Sequence, residues 1–83
     1  MKKALVIGVG PLNGLGGQLC RKIANNNFEV FVAGRTRSSL DNVVNTILND
    51  GNKAIPIVVE ATDENQIKNM IKEIGHGLDF AVY

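Results

Sequence analysis

A glycine-rich turn near the start of the chain has the residue types that bind phosphate. It reads Gly-Val-Gly-Pro-Leu-Asn-Gly-Leu-Gly-Gly over residues 8–17, after an apolar stretch and before residues with helical spacing. A helix N-terminus favours a phosphate, because its N–H groups are unpaired and its dipole is positive there. Glycines let a pyrophosphate approach the backbone closely. The pattern predicts a dinucleotide site rather than a ligand-free turn. The expected contacts are Gly8, Gly10, Leu12, Asn13, Gly14, Leu15 and Gly16.

The next segment that could bind a ligand is Gly-Arg-Thr-Arg at residues 34–37. In sites for NAD, an acidic residue about twenty positions after the glycines bonds the ribose 2′-hydroxyl. No carboxylate stands here to repel a 2′-phosphate, and the guanidinium groups of Arg35 and Arg37 suit one, as does the Thr36 hydroxyl. We therefore expect NADP(H) to be preferred over NAD(H), with these three residues binding the cofactor. The alternative is that the arginines belong to a solvated turn.

The elements that must position these residues alternate between strand and helix. Apolar, β-branched stretches predict strands over residues 3–9, 28–33, 54–59 and 78–83. Helical spacing predicts a first helix over residues 14–26, a second capped by Ser38 or Ser39 and closed at residues 50–52, and a third capped by Thr62. Glycines at 75 and 77 should end the third helix.

This β-α-β-α-β-α-β order predicts an α/β fold, the first half of a Rossmann-type doubly wound parallel sheet. Helices of this length join parallel strands through right-handed crossovers, and the expected strand order is 3-2-1-4. Strand three then lies at an edge, where Pro56 is tolerated. Strand four lies at the other edge, where its apolar residues would be free to associate, so we expect a homo-oligomer or a longer native chain.

Composition and charge exclude several other classes of protein. The chain has 83 residues, enough for one small domain, and its net charge of +1 gives no reason to expect nucleic acid or a membrane as partner. No apolar run reaches the roughly 18 residues that span a bilayer. With Cys20 as the single cysteine, no internal disulfide is possible, and we expect a cytoplasmic protein. His76 has no second histidine or cysteine at ligand spacing, so no metal site is expected.

The glycine turn and the arginine segment together resemble the short-chain dehydrogenase/reductase family. Residues 10–16, Gly-Pro-Leu-Asn-Gly-Leu-Gly, are similar to the family's glycine motif, although Val9 replaces its usual threonine. Gly34 and Arg35 are similar to the NADP-type ending of its second strand. A second alignment starts the motif at Gly8 and is similar to the enoyl-acyl-carrier-protein reductases, a divergent branch of the family.

The resemblance extends over the rest of the chain. Residues 60–63, Glu-Ala-Thr-Asp, are similar to an Asp-Val-Thr-Asp segment of the family, and residues 78–83 to the strand before its Asn-Ala-Gly signature. It implies that Glu60 and Ala61 hold the adenine, with Thr62 as a further candidate contact. It also implies that the catalytic Asn, Ser, Tyr and Lys lie beyond residue 83, so no catalytic residue is expected here.

These observations predict the NADP-binding half-domain of an oxidoreductase, spanning residues 1–83 and cut off after strand four. The reaction implied is hydride transfer to or from a small carbonyl, alcohol or enoyl substrate, and the chain alone should be inactive. One alternative is a stand-alone NADP-binding module or subunit without its own catalysis. Another is a non-functional fragment of marginal stability, because so small a core barely offsets its ordering entropy.

Overall fold

The computed structural model describes residues 1–82 as four strands alternating with three helices. The strands are β1 (Lys2–Ile7), β2 (Phe28–Gly34), β3 (Lys53–Val58) and β4 (Leu78–Val82). The helices are α1 (Leu15–Ala24), α2 (Arg37–Asn49) and α3 (Glu64–Ile74). All seven predicted elements are present, within a few residues of the expected bounds. Tyr83, which was included in the predicted fourth strand, lies outside the described residues.

The four strands form one parallel sheet in the order β3-β2-β1-β4. The predicted strand order and α/β class are therefore confirmed. Pro56 lies on the edge strand β3, as predicted, and pairs in register with Val32 of β2 without a bulge. None of the helices formed by the described residues has the length and apolar character needed to cross a membrane.

A bulge in β4 interrupts the pairing with β1 at Asp79. Lys3 pairs with Leu78, but Ala4 pairs with Phe80, so Asp79 is the extra residue. At the bulge the Asp79 side chain links the two strands, because its Oδ2 accepts the backbone N–H of Lys3 at 2.8 Å. As a result Phe80 and Leu78 lie on opposite faces of the sheet. The Phe80 ring meets Phe28 edge-on, with centroids 5.1 Å apart.

Side chains alternate between the two faces of the sheet and form two separate apolar clusters. On one face Val6 and Val32 pack with Cys20 of α1 and Leu40 of α2. On the other face Leu5, Phe31 and their neighbours pack with Met70 of α3. The first cluster is the larger of the two, because it is covered by two helices rather than one. Both faces of the central strands are buried, which explains their lack of polar alternation.

The start of two helices differs from the prediction. Thr36, not Ser38 or Ser39, is the N-cap of α2, and its side chain makes no capping hydrogen bond. Asp63, not Thr62, caps α3, since its carboxylate accepts the N–H groups of Asn65 and Gln66. Aspartate is as good a cap as threonine, and sequence alone did not distinguish the adjacent positions.

Candidate functional site: a cavity at the carboxyl ends of the strands

A cavity of about 490 Å³ opens at the carboxyl ends of β1, β2 and β3. This is where ligands bind in open parallel sheets, and the volume lies in the range of small-molecule sites. Three chain segments surround it, one following each strand. The lining residues are Gly8, Val9, Gly10, Pro11, Gly34, Arg35, Thr36, Ser39, Val59, Glu60 and Ala61.

The first wall is the glycine turn that follows β1. Gly8 has a φ of +86°, a conformation that other residues rarely adopt. The turn is then tied across the end of β2, because the N–H groups of Gly8 and Val9 both donate to the Ala33 carbonyl at 2.9 Å. This places Gly10 over the cavity, where a Cβ would have no atom within 4 Å. The backbone is therefore open to a ligand at this position.

The second half of the glycine turn packs closely against the first half. A Cβ on Gly17 would lie 2.7 Å from the Leu12 carbonyl oxygen, and one on Gly16 would lie 3.2 Å from the Val9 Cα. Gly16 thus permits the start of α1 to pack closely against the turn after β1. Gly14 is the N-cap of α1, and the first turn of this helix holds no acidic side chain that would oppose an anion.

The second wall follows β2 and carries Arg35, which is the only cation among residues 1–82 that lines the cavity. Among residues 1–82, Arg35 makes no hydrogen bond or ion pair with another side chain. Thr36 and the half-buried Ser39 lie beside it and add hydroxyl groups. Arg37 is directed elsewhere: its Nε donates to Asp41 Oδ1 at 3.0 Å, one helical turn along α2.

The first two walls touch at Gly34, where a side chain would not fit. A Cβ on Gly34 would overlap the Val9 carbonyl oxygen and lie 3.1 Å from Leu40 Cδ2. Val9 and Leu40 are both buried, so neither has room to withdraw. The glycine therefore allows the turn after β1 to cross the end of β2 at close range.

The third wall follows β3 and is held by its own hydrogen bonds. Val59 donates its N–H to the Gly34 carbonyl at 2.7 Å, which continues the strand pairing beyond the sheet. The Glu60 carboxylate turns toward Thr62, where its Oε1 accepts the hydroxyl at 3.1 Å and the backbone N–H at 3.4 Å. The Thr62 hydroxyl is thus occupied in fixing the carboxylate.

The structure brings some of the predicted cofactor-binding residues together around the cavity. The members that line it are Gly8, Gly10, Arg35, Thr36, Glu60 and Ala61. The members outside its lining are Leu12, Asn13, Gly14, Leu15, Gly16, Arg37 and Thr62. Leu12 packs partly against the core, whereas Leu15 is 93% exposed at the start of α1.

Five lining residues were not predicted as cofactor contacts: Val9, Pro11, Gly34, Ser39 and Val59. Ser39 was predicted to be a helix cap, but α2 begins at Arg37, and Ser39 lies three residues after the actual N-cap, Thr36. The signal that could have found it is the N-cap threonine itself, since residues three apart in a helix lie on the same side.

The shifted pKa values lie away from the cavity and have structural causes. Burial in the first helix raises the pKa of the Cys20 thiol to about 12, so this cysteine is neutral. The hydrogen bond from Arg21 lowers the pKa of Asp50, and the same contact raises the pKa of Arg21. This ion pair, at 2.7 Å, joins the end of α1 to the end of α2. The described residues hold no cluster of three or more potential metal ligands.

The fold is that of a Rossmann-like α/β protein, and comparison with known proteins gives its family. Residues 2–79 match the sequence profile of the family described as short chain dehydrogenase, so the chain belongs to this family. The resemblance stated from the residues is thereby confirmed. The family comprises oxidoreductases that bind nicotinamide cofactors. Comparison with curated proteins found no match.

Solved structures of this family share the fold. A short-chain type dehydrogenase/reductase from Mycobacterium marinum is 30% identical, with a TM-score of 0.85 over 96% of this chain and 33% of its own. A metagenomic short-chain oxidoreductase in complex with NADP is 19% identical, with a TM-score of 0.86 over 96% of this chain and 37% of its own. A variant of actinorhodin polyketide ketoreductase with NADPH is 20% identical, with a TM-score of 0.84 over 96% and 31%. The chain thus spans about a third of the length of these structures.

Proposed function

We propose that the chain binds NADP(H) and forms the cofactor-binding part of an oxidoreductase. The observation that carries the proposal is the cavity, which combines an open glycine turn, an unpaired arginine and a third wall at the carboxyl ends of three strands. A pyrophosphate would lie against the turn at Gly10, where the backbone is accessible. The adenosine 2′-phosphate would lie against Arg35, Thr36 and Ser39.

The preference for NADP(H) over NAD(H) rests on the charges of the second wall. No carboxylate of this wall lines the cavity, whereas the Arg35 guanidinium does. A guanidinium suits a phosphate because its planar N–H groups can donate to two oxygens at once. The two neighbours named as complexes, with NADP and with NADPH, support this proposal.

Titration of the chain with NADPH and with NADH, followed by the fluorescence of the reduced nicotinamide, tests the proposal. We expect NADPH to bind about ten- to a hundredfold more tightly, the range given by hydrogen bonds to charged groups. Arg35→Asp should reverse the preference, because a carboxylate repels the 2′-phosphate and can accept a ribose hydroxyl. An unchanged ratio in this variant would show that Arg35 does not read the 2′-phosphate.

The matched control for that titration is Arg37→Asp, on the same turn. Arg37 lies outside the cavity lining and is paired with Asp41. The proposal therefore predicts a smaller change of the NADPH-to-NADH ratio for this variant than for Arg35→Asp. If the two substitutions reduced the ratio equally, the long-range charge of the turn, rather than contact at Arg35, would account for the preference.

We further propose that residues 1–83 form the cofactor half-domain of an enzyme. This enzyme would transfer a hydride to or from a carbonyl, alcohol or enoyl compound. The alternative is an NADP-binding module without its own catalysis. Both proposals predict that the isolated chain binds NADPH without oxidising it in the presence of simple ketones, so the intact mass of the protein as the cell produces it distinguishes them. A mass far above that of 83 residues favours the enzyme, whereas a mass that matches 83 residues favours the module.

We place the protein in the cytoplasm and expect it to self-associate. The buried, neutral Cys20 needs no oxidising compartment.

On the edge strand β4, Phe80 is 38% exposed and Ala81 is also exposed, so apolar surface is available for association. Sedimentation equilibrium of the chain, compared with a Phe80→Lys variant, tests this expectation, and a monomer at all concentrations would contradict it.

A further inference from the structure

Gln66, in the first turn of α3, connects the third wall of the cavity to the helix behind it. Its side-chain Oε1 accepts the backbone N–H of Glu60 at 2.9 Å. Its Nε2 donates to Asp63 Oδ2 at 3.2 Å. One amide group therefore holds both the residue that lines the cavity and the residue that caps the helix.

Asp63 makes a second link between this wall and the start of α3. Asp63 donates its N–H to the Glu60 carbonyl at 3.0 Å, and its carboxylate caps the helix. Asp63 and Gln66 stand three residues apart at N-cap and N3, the spacing of a capping box. In the usual box the N3 side chain returns to the N-cap N–H, whereas here Gln66 reaches three residues further back, to Glu60.

The chemistry of the cofactor indicates which part of it this wall would meet. Besides its 3′-hydroxyl, the ribose of the adenosine carries three larger groups: the 5′-pyrophosphate, the 2′-phosphate and the base. With the pyrophosphate at the glycine turn and the 2′-phosphate at Arg35, the base is the group left to face Val59, Glu60 and Ala61. The Glu60 carboxylate uses Oε1 on Thr62, and Oε2 has no described partner, so it can accept the exocyclic amino group of adenine.

We propose that Gln66 is a positioning residue for the base of the cofactor, acting through the Glu60 backbone rather than by contact. This inference rests on the proposed function. By holding the Glu60 N–H, Gln66 sets where the peptide and the carboxylate that follow β3 lie relative to the base. Without this contact the Glu60 N–H loses its partner, and the carboxylate loses its place at the cavity wall.

The test compares NADPH with its hypoxanthine analogue, in which a carbonyl oxygen replaces the amino group of the base. Both ligands carry the same phosphates and nicotinamide, so the ratio of their dissociation constants reports on the base alone. A general loss of stability or a change of local charge weakens both ligands together. A merely structural role of Gln66 therefore leaves the ratio unchanged.

We expect the wild-type protein to bind NADPH about tenfold or more tightly than the analogue, since the carbonyl cannot donate to a carboxylate. Gln66→Met keeps the length and helix propensity of the side chain but removes the amide, and should lower the ratio by about threefold or more. Gln66→Glu keeps an acceptor for the Glu60 N–H but replaces the donor to Asp63 with a carboxylate, so the ratio should fall by less than in Gln66→Met. Asn65→Ala, on the neighbouring exposed position, is the control.

The outcomes separate this inference from the proposed function. If the wild-type protein binds neither ligand, the proposed function itself is wrong, and the inference falls with it. If the wild type prefers NADPH but Gln66→Met keeps the full ratio, the role of Gln66 is wrong while cofactor binding stands. A wild-type ratio near one, with tight binding of both ligands, also overturns the role, because the base edge is then not read at this wall.

Discussion

Replacing Gly34 with alanine should disrupt the contact on which the shape of the cavity depends. The added methyl group would overlap the Val9 carbonyl oxygen and lie 3.1 Å from Leu40 Cδ2 and 3.3 Å from the Val9 carbonyl carbon. Val9 is held by its N–H bond to Ala33, and Leu40 is fully buried, so neither can move freely. The turn after β1 must therefore shift away from the end of β2.

The free energy of unfolding should fall by about 1–3 kcal/mol, the usual range for overpacking a filled interior. The smaller backbone entropy of alanine in the unfolded chain offsets less than about 1 kcal/mol of this loss. In a domain of this size each 1 kcal/mol corresponds to about 4–8 °C in melting temperature. We therefore expect Gly34→Ala to melt roughly 5–15 °C lower than the wild-type protein.

Gly10→Ala is the matched control, because it adds the same methyl group to the facing wall. A Cβ there has no atom within 4 Å, so the melting temperature should stay within a few degrees. Since Gly10 lines the cavity, this variant should nevertheless weaken NADPH binding. Thermal melts followed by circular dichroism, with NADPH titrations beside them, measure both effects. Equal melting temperatures for Gly34→Ala and the wild type would refute the close contact described here.

Three further predictions concern charged and buried groups. Asp41→Asn should release Arg37 and raise the NADPH-to-NADH binding ratio by about two- to fivefold, the scale of an exposed ion pair, and the effect should vanish in an Arg37→Gln background. The lowered pKa of Asp50 stabilises the fold above the pKa of the unfolded state, about 4, and this contribution is lost as the pH falls through the folded-state value. The stability difference between wild type and Asp50→Asn should therefore shrink in acid melts; a constant difference from pH 7 to pH 3 would contradict the pairing with Arg21. Cys20, buried with a pKa of about 12, should resist iodoacetamide at pH 8 until denaturant is added, and rapid labelling of the folded protein would contradict its burial.

The elements were predictable because their signals are local. Runs of apolar residues on the central strands reflect burial on both faces, and this pattern is present in the sequence before any contact forms. The helix starts were less predictable, since the cap depends on backbone angles that neighbouring polar residues adopt equally well. The sequence therefore favoured Ser38 or Ser39 over Thr36, and Thr62 over Asp63.

The candidate site was predictable in type and only partly in membership. Glycines at the first turn and an arginine after β2 are visible in the sequence, and both reach the cavity. The two arginines differ by their surroundings, because Asp41 stands one helical turn from Arg37 and pairs with it. The role of Gln66 could not be predicted from the sequence, because it depends on how the chain folds back after β3 and brings the Gln66 amide to the Glu60 N–H.

The sequence by itself determined the alternation of strands and helices, the glycine turn and the absence of an acid after β2. These depend on residue type and on spacing along a few turns of chain. Only the tertiary structure decided that Gly34 lies under the Val9 carbonyl, that Arg35 rather than Arg37 lines the cavity, and that Val59 closes the third wall. Those relations join segments more than twenty residues apart, and their distances are set by the pairing of three strands and by the helices packed on them.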